Sequence, residues 1–373
     1  MTQKLPKSKI YRYCLADVAK GLFNGMIGNY LLYFFQPTIK SGLPQLLPDN
    51  KLFGYITIMA LLTGIGKVVD AVSDPIVASM SDKCTHKDGR RMPFLKYSAV
   101  PYCLTVLLIF YAPFSEGSVA NAVWVGFFLI AYYLAYTFFF IPRNALIPEI
   151  IPDTKDRVGY YSISTAFFMG SSSFMYAATL FVDLIKKTGV SALWSWRIVF
   201  TVFAVIGLVC VILSSTAFKE KDYVKENTKP SQSIIRSFGT VLRNKDFVIF
   251  SLGDLFSYVS MAFFQTAMLY YITMLLNIPE QQAFLVMLSA IVLALCLFPL
   301  IVKFSRKYNK RILLVAASIV FTVVFAFIYV GDKIAALAPG KELLVGILLG
   351  LVVSFPFAAI NILPQACASD IIQ

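Results

Sequence analysis

Stretches of mostly apolar residues recur ten times along this chain, each about 20 residues long, the length a helix needs to cross a bilayer. They run over residues 15–36, 53–80, 94–114, 119–141, 160–184, 198–218, 247–276, 283–302, 312–330 and 343–363. Repetition on this scale leaves few folds open. In lipid every backbone N–H and C=O must be satisfied within its own segment, so the stretches are expected to be helices packed as bundles. Composition agrees: 58% of the 373 residues are hydrophobic and 14% charged, and 33 Phe with 20 Tyr are more than one or two soluble cores bury. Six Cys are too sparse for a disulfide framework, and polar low-complexity sequence is absent. Residues 1–12 are polar and basic, and the stretch that follows has full span length without a small-residue cleavage site, so no cleavable signal peptide is expected.

On a soluble protein the net charge of +13 would suggest a nucleic-acid partner. Sorted by connection, the Lys and Arg outside the spans fall 24 on the N-terminal side and 7 on the other. That asymmetry is topology: it places the N-terminus and the larger loops in the cytoplasm, and no nucleic acid is needed to explain it. Trp124, Trp194 and Trp196 then fall near the outer interface. Between Lys219 and Lys245 the apolar pattern gives way to a charged stretch with Pro230 and several Ser. The expected organisation is a six-helix bundle over 1–218, a cytoplasmic linker over 219–246 and a second bundle over 247–373. Such a plan suits a two-half transporter. The second bundle holds four spans, two fewer than the first, and reads as interrupted.

Acids inside spans are costly, about 2.5–3.5 kcal/mol each on insertion scales, and mark function by default. Asp70 and Asp74 lie deep in the second stretch, one helical turn apart, with Lys67 on the same face. Two like charges that close repel unless a cation or a proton intervenes, so this face suits Na⁺, Li⁺ or H⁺. The alternative is a structural Lys67–Asp70 ion pair, with Asp74 near the cytoplasmic interface beside Pro75. Lys20, in the first span, either pairs with this face or reaches the cytoplasmic surface beside Arg12. Asp254, among Gly253, Ser257 and Tyr258, is either a substrate or proton ligand of the second half or an acid in a wet cavity. In the loop that follows the second span, Asp82, Lys83, Gly89, Arg90 and Arg91 are placed to latch the cytoplasmic side, or supply ordinary positive-inside charge. Cys84 and His86 lack the further ligands a metal site needs, and the chain has 1 His and no Walker loop. No covalent chemistry, cofactor or metal is expected beyond a coupling ion.

Three blocks carry a resemblance. Asp70-Ala71-Val72-Ser73-Asp74-Pro75 is followed by Ser81-Asp82-Lys83 and Gly89-Arg90-Arg91-Met92-Pro93-Phe94. Tyr136-Thr137 leads to Ile141-Pro142-Arg143-Asn144-Ala145-Leu146-Ile147-Pro148-Glu149, with Asp153 and Arg157 beyond. Leu363-Pro364-Gln365-Ala366 and Ser369-Asp370-Ile371 close the series. In this order the blocks resemble the glycoside–pentoside–hexuronide:cation symporters, the melibiose permease-like branch of the major facilitator superfamily. The resemblance implies an all-α, polytopic two-bundle fold with about ten of twelve transmembrane helices present.

It also implies a cation site at Asp70, Ser73, Asp74 and Thr137. The family usually carries Asn at the Ser73 position, and the shorter oxygen of Ser shifts the balance toward H⁺; Lys67 stands where relatives often carry Arg. The family's sugar-binding acids and arginine correspond here to Gly21, Phe140 and Thr165, so either other groups hold the sugar or the substrate is not a simple galactoside. Lys20, Asn24, Asn29, Tyr133, Asn144, Asp254, Tyr258 and Gln265 are the candidates. The expected function is Na⁺- or H⁺-coupled symport of a sugar, glycoside or related small solute across the inner or plasma membrane, by a monomer embedded in the bilayer. Alternatives are symport of an amphipathic substrate such as a lysolipid, a transport-inactive membrane sensor, and a passive facilitator, against which the two buried Asp argue.

Overall fold

A computed structural model of the chain describes residues 5–37, 42–48, 51–52, 56–224, 243–270, 280–336 and 342–371. Ten helical rods run through these residues, as the ten apolar stretches require. The first is α1 (Lys7–Gly25), continued by a π-helical turn (Met26–Tyr30) and α2 (Leu31–Phe35). A two-residue antiparallel pair, Lys51–Leu52 with Ile56–Thr57, leads into α3 (Ile58–Lys83). Then come α4 (Met92–Phe110) and α5 (Val119–Ile150). The fifth rod is α6 (Thr154–Phe174), a 3₁₀ turn (Met175–Ala177) and α7 (Ala178–Lys186), and the sixth is α8 (Ala192–Ser215). The last four are α9 (Lys245–Tyr270), α10 (Glu280–Lys307), α11 (Lys310–Ala336) and α12 (Glu342–Ile371).

Short polar side chains start several of these helices by accepting otherwise unpaired N–H groups. Thr57 Oγ1 accepts from Ala60 N, Ser118 Oγ from Ala120 N, and Asn244 Oδ1 from Asp246 N and Phe247 N. By length and composition five helices among the described residues are able to cross a membrane: α4, α5, α6 with α7, α8 and α12. The 26-residue α3 also has span length, but Lys67, Asp70 and Asp74 interrupt its apolar run.

Several helices outrun the apolar stretches that announce them. Helix α5 continues to Ile150 through Pro142 and Pro148, so Arg143, expected in a cytoplasmic connection, is helical and buried. Hydropathy ends at Ile141 because the last turns are held by polar contacts rather than by lipid. Trp196 is 2% exposed and packs against Tyr30 and Phe200, whereas Trp194, two residues before it, is 51% exposed.

The chain divides into two compact units. The first comprises Met1–Ile151 with Phe167–Ile234, the second Pro152–Ala166 with Ile235–Gln373. In the second unit α12 packs against α10 and α11. In the first unit α4 lies against α5 and α8, and α1 against α8. Its interior is aromatic: Phe34, Phe110 and Phe200 meet edge-on or tilted, and Tyr102 touches Tyr132, Phe139 and Phe140. Glycine sets the closest helix approach. A Cβ on Gly21 would fall on Ser171 Oγ and the Phe168 carbonyl, so α1 seats against α6 only without a side chain there. Overpacking of this kind costs about 1–3 kcal/mol. Gly21→Ala is therefore expected to lower the thermal unfolding midpoint in detergent, whereas Gly28→Ala, where a Cβ meets nothing within 4 Å, is expected to change it little.

Candidate functional site

The four residues expected at the cation site come together on the facing sides of α3 and α5. A Cβ on Gly66 would strike the Tyr133 ring, so glycine lets the two helices close at this level. One turn further along both helices, Thr137 stands opposite Asp70, Ser73 and Asp74. Thr137 Oγ1 lies 3.1 Å from Asp70 Oδ1, 3.1 Å from Asp74 Oδ1 and 3.2 Å from Ser73 Oγ. Ser73 Oγ also donates to the Asp70 carbonyl at 3.0 Å. Thr137 is 0% and Ser73 7% exposed, while both Asp are half-buried. A hydroxyl carries one proton, so Thr137 donates to one carboxylate at a time and leaves the other without it. The cluster is thus a set of oxygens short of positive charge.

Lys67 makes no direct ion pair with either carboxylate among the described residues: its ammonium sits over the Tyr133 ring, 4.7 Å from the centroid, and its charge acts on Asp74 only from a distance. Lys20 also departs from both expectations. Its ammonium stands among three rings, those of Tyr136, Phe140 and Phe168, at 5.8, 5.3 and 5.5 Å. Arg12 is elsewhere, donating to the Leu213 carbonyl and Thr216 Oγ1.

Next to Lys20 lies an ion pair that span counting does not reveal. Arg143 donates from Nη1 and Nη2 to the two Asp17 oxygens at 3.0 and 2.7 Å, and both residues are at most 3% exposed. Tyr13 completes the arrangement, its hydroxyl donating to the Arg143 carbonyl and its own carbonyl accepting from Arg143 Nη2. The signal was present in the residue types, an acid in the first apolar stretch and an arginine after Ile141-Pro142. Only the continuation of α5 carries Arg143 into the bundle interior.

The remaining substrate candidates are not gathered into one cluster. In the first unit Asn24, Asn29 and Asn144 are exposed, and Tyr133 is taken up by Gly66 and Lys67. Phe140 is 1% and Thr165 5% exposed. In the second unit Asp254 is half-buried, with Oδ1 lacking a hydrogen-bond partner among the described residues. Tyr258 is exposed one turn on, and the side chain of Gln265 lies outside the described residues.

The loop between α3 and α4 forms its own network within the first unit. Arg91 binds Asp82 Oδ1 at 2.7 Å, Glu149 Oε1 at 2.9 Å and the Ala145 carbonyl at 2.6 Å, and Arg90 reaches Glu149 at 3.2 Å. Gly89 turns the chain with φ +117°, a region that favours glycine. Lys83 is exposed and stands outside the network. Lys96 donates to Asp88 at 2.7 Å and holds that carboxyl below the usual carboxylate range. This contact is complete at neutral pH and is lost as the pH falls through the lowered value.

Removing one partner of a buried ion pair costs about 3–5 kcal/mol, mostly by stranding the other charge. Arg143→Met is accordingly expected to lower the unfolding midpoint strongly, and Asp17→Asn combined with Arg143→Met to recover much of the loss, as read by thermal unfolding in detergent.

The family described as MFS/sugar transport protein matches residues 12–373. YagG of Escherichia coli (strain K12), a protein named for glycoside/cation symport, is 26% identical over 380 residues, covering 100% of this chain and 75% of YagG. The lactose permease of Lactobacillus helveticus is 21% identical, with 86% of this chain and 51% of the permease covered. The isoprimeverose transporter of Lactiplantibacillus pentosus is 24% identical, with 66% and 48% covered. The chain thus spans about half the length of the last two relatives. Among solved structures, a bacterial homologue of the iron transporter ferroportin in its outward-facing state aligns with TM-score 0.66 at 12% identity, covering 98% of this chain and 84% of that one. The major facilitator transporter FucP aligns with TM-score 0.59 at 12% identity, covering 98% and 90%. At these identities the likeness concerns the fold alone. Helix pattern, motif blocks and family match agree: the chain belongs to the MFS/sugar transport protein family and is an integral membrane protein of the major facilitator fold.

Proposed function

We propose that the protein is a cation-coupled secondary active symporter of a sugar, glycoside or related small solute. One observation carries the coupling: a single buried hydroxyl, Thr137, lies 3.1 Å from two carboxylates that form no direct ion pair among the described residues. A Na⁺ or H⁺ entering there meets Asp70, Ser73, Asp74 and Thr137, relieves the repulsion between the acids, and makes the loaded protein the favoured partner for substrate. Ser73 in place of the family's usual Asn favours H⁺. The names of YagG, the lactose permease and the isoprimeverose transporter support a glycoside-like solute.

Substrate contacts are assigned to Lys20, Asn24, Tyr133 and Asn144 in the first unit and to Asp254, Tyr258 and Gln265 in the second. A second reading, an amphipathic substrate such as a lysolipid, is favoured by one feature. Gly21 has no room for a carboxylate, and Phe140 and Phe168 line Lys20 with apolar rings. Asp82, Gly89, Arg90 and Arg91, with Lys83 beside them, are read as the cytoplasmic latch. The protein sits as a monomer in the inner or plasma membrane with its N-terminus in the cytoplasm.

The test is uptake into proteoliposomes of glycosides, pentosides, uronides and lysolipids, with and without Na⁺ and pH gradients. Gradient-driven uptake is expected to fall at least about tenfold in Asp70→Asn and in Asp74→Asn, the loss of one charge-assisted ligand. Unchanged uptake in both variants would overturn the reading.

A further inference from the structure

The start of α4 poses an accounting problem. The first N–H groups of a helix have no partner within it, and buried ones must find one elsewhere. Arg91, the residue before α4, supplies no side-chain cap, and Pro93 has no N–H to satisfy. Phe94 N donates to the Arg91 carbonyl at 3.1 Å, and the two groups left, Arg91 N and Met92 N, both donate to one atom, Glu220 Oε2, each at 2.9 Å. Glu220 is 129 residues away in sequence and 2% exposed. It lies in the 3₁₀ turn Glu220–Asp222 that follows α8, at the head of the charged stretch between the sixth and seventh spans.

Gly89 reports the same contact independently. A Cβ there would run into the Glu220 carboxylate, so glycine at 89 both permits the positive φ and admits the acid. The turn itself is anchored. Tyr223 accepts a hydrogen bond from Lys9 Nζ at 2.9 Å, and Phe218 packs on Tyr13 and Tyr223.

We infer that Glu220 is the positioning residue of the arginine loop, an acid that holds the Arg91 backbone while Asp82, Glu149 and the Ala145 carbonyl hold its guanidinium. A negative charge suits this place because the amino end of a helix carries partial positive charge. Clamped at both ends, Arg91 has one orientation, and the segment after α8 is tied to the loop after α3. The consequence for transport rests on the symport reading above; the clamp itself does not.

The experiment uses the full chain with the five cysteines other than Cys84 replaced by Ser, because Cys84 is half-buried at the start of this loop. In detergent-solubilised protein, Glu220→Ala is expected to raise the rate of Cys84 alkylation about tenfold, the scale of losing a charged acceptor for two N–H groups. Glu220→Gln keeps an acceptor oxygen and is expected to raise it about two- to threefold. Asp222→Ala, exposed on the same turn, is expected to leave it unchanged. Should Glu220→Ala fail to fold, Glu220→Gln decides alone, and a rate equal to that of Asp222→Ala overturns the inference. In the uptake assay, Glu220→Ala is expected to reduce the maximal rate with little change in half-saturating concentration, and to have no further effect on an Arg91→Ala background. An uptake-inactive parent chain would count against the symport reading while the Cys84 rates still decide the role of Glu220.

Discussion

A charge held away from water must be paired, shared or covered, and the first unit is organised by how it meets that demand. Asp17 is paired outright, its two oxygens bound by Arg143. Lys20 is covered by three rings. Asp70 and Asp74 are treated differently: they share one hydroxyl and form no direct ion pair among the described residues. This cluster is the seat we propose for a coupling ion. It depends on Gly66, because a bulkier residue would hold Tyr133, and with it Thr137, away from α3.

The same demand explains why some features were legible from residues alone and others were not. Helices in lipid announce themselves by apolar length, so ten rods could be read directly. Asp70 and Asp74 stood out because nothing else in their stretch explains two acids one turn apart, and Thr137 followed from family likeness. Arg143 was hidden because hydropathy stops at Ile141 while α5 continues to Ile150, its last turns stabilised by contacts with α1 and the arginine loop. Glu220 was hidden for a related reason. A cap supplied from 129 residues away leaves no local pattern, and an acid in a charged stretch looks solvated until the fold brings it to α4.

On the side proposed to meet substrate, Gly21 and Phe140 stand where the resemblance leads one to expect acids. Gly21 is a packing contact between α1 and α6 with no space for a carboxylate, and Phe140 contributes an apolar ring to the aromatic wall around Lys20 and Tyr102. What this face presents instead is one ammonium set in apolar rings. Asp254, with an unsatisfied oxygen among the described residues, is the corresponding feature of the second unit.

We propose that the Thr137 hydroxyl brings both carboxylates to one ion. The most direct measurement is the shift in thermal unfolding midpoint on adding Na⁺ or Li⁺, together with proton uptake on acidification, in Thr137→Ser and Thr137→Val. A cation- or proton-linked response is expected to be retained in Thr137→Ser and abolished in Thr137→Val. A full response in Thr137→Val would contradict the proposal.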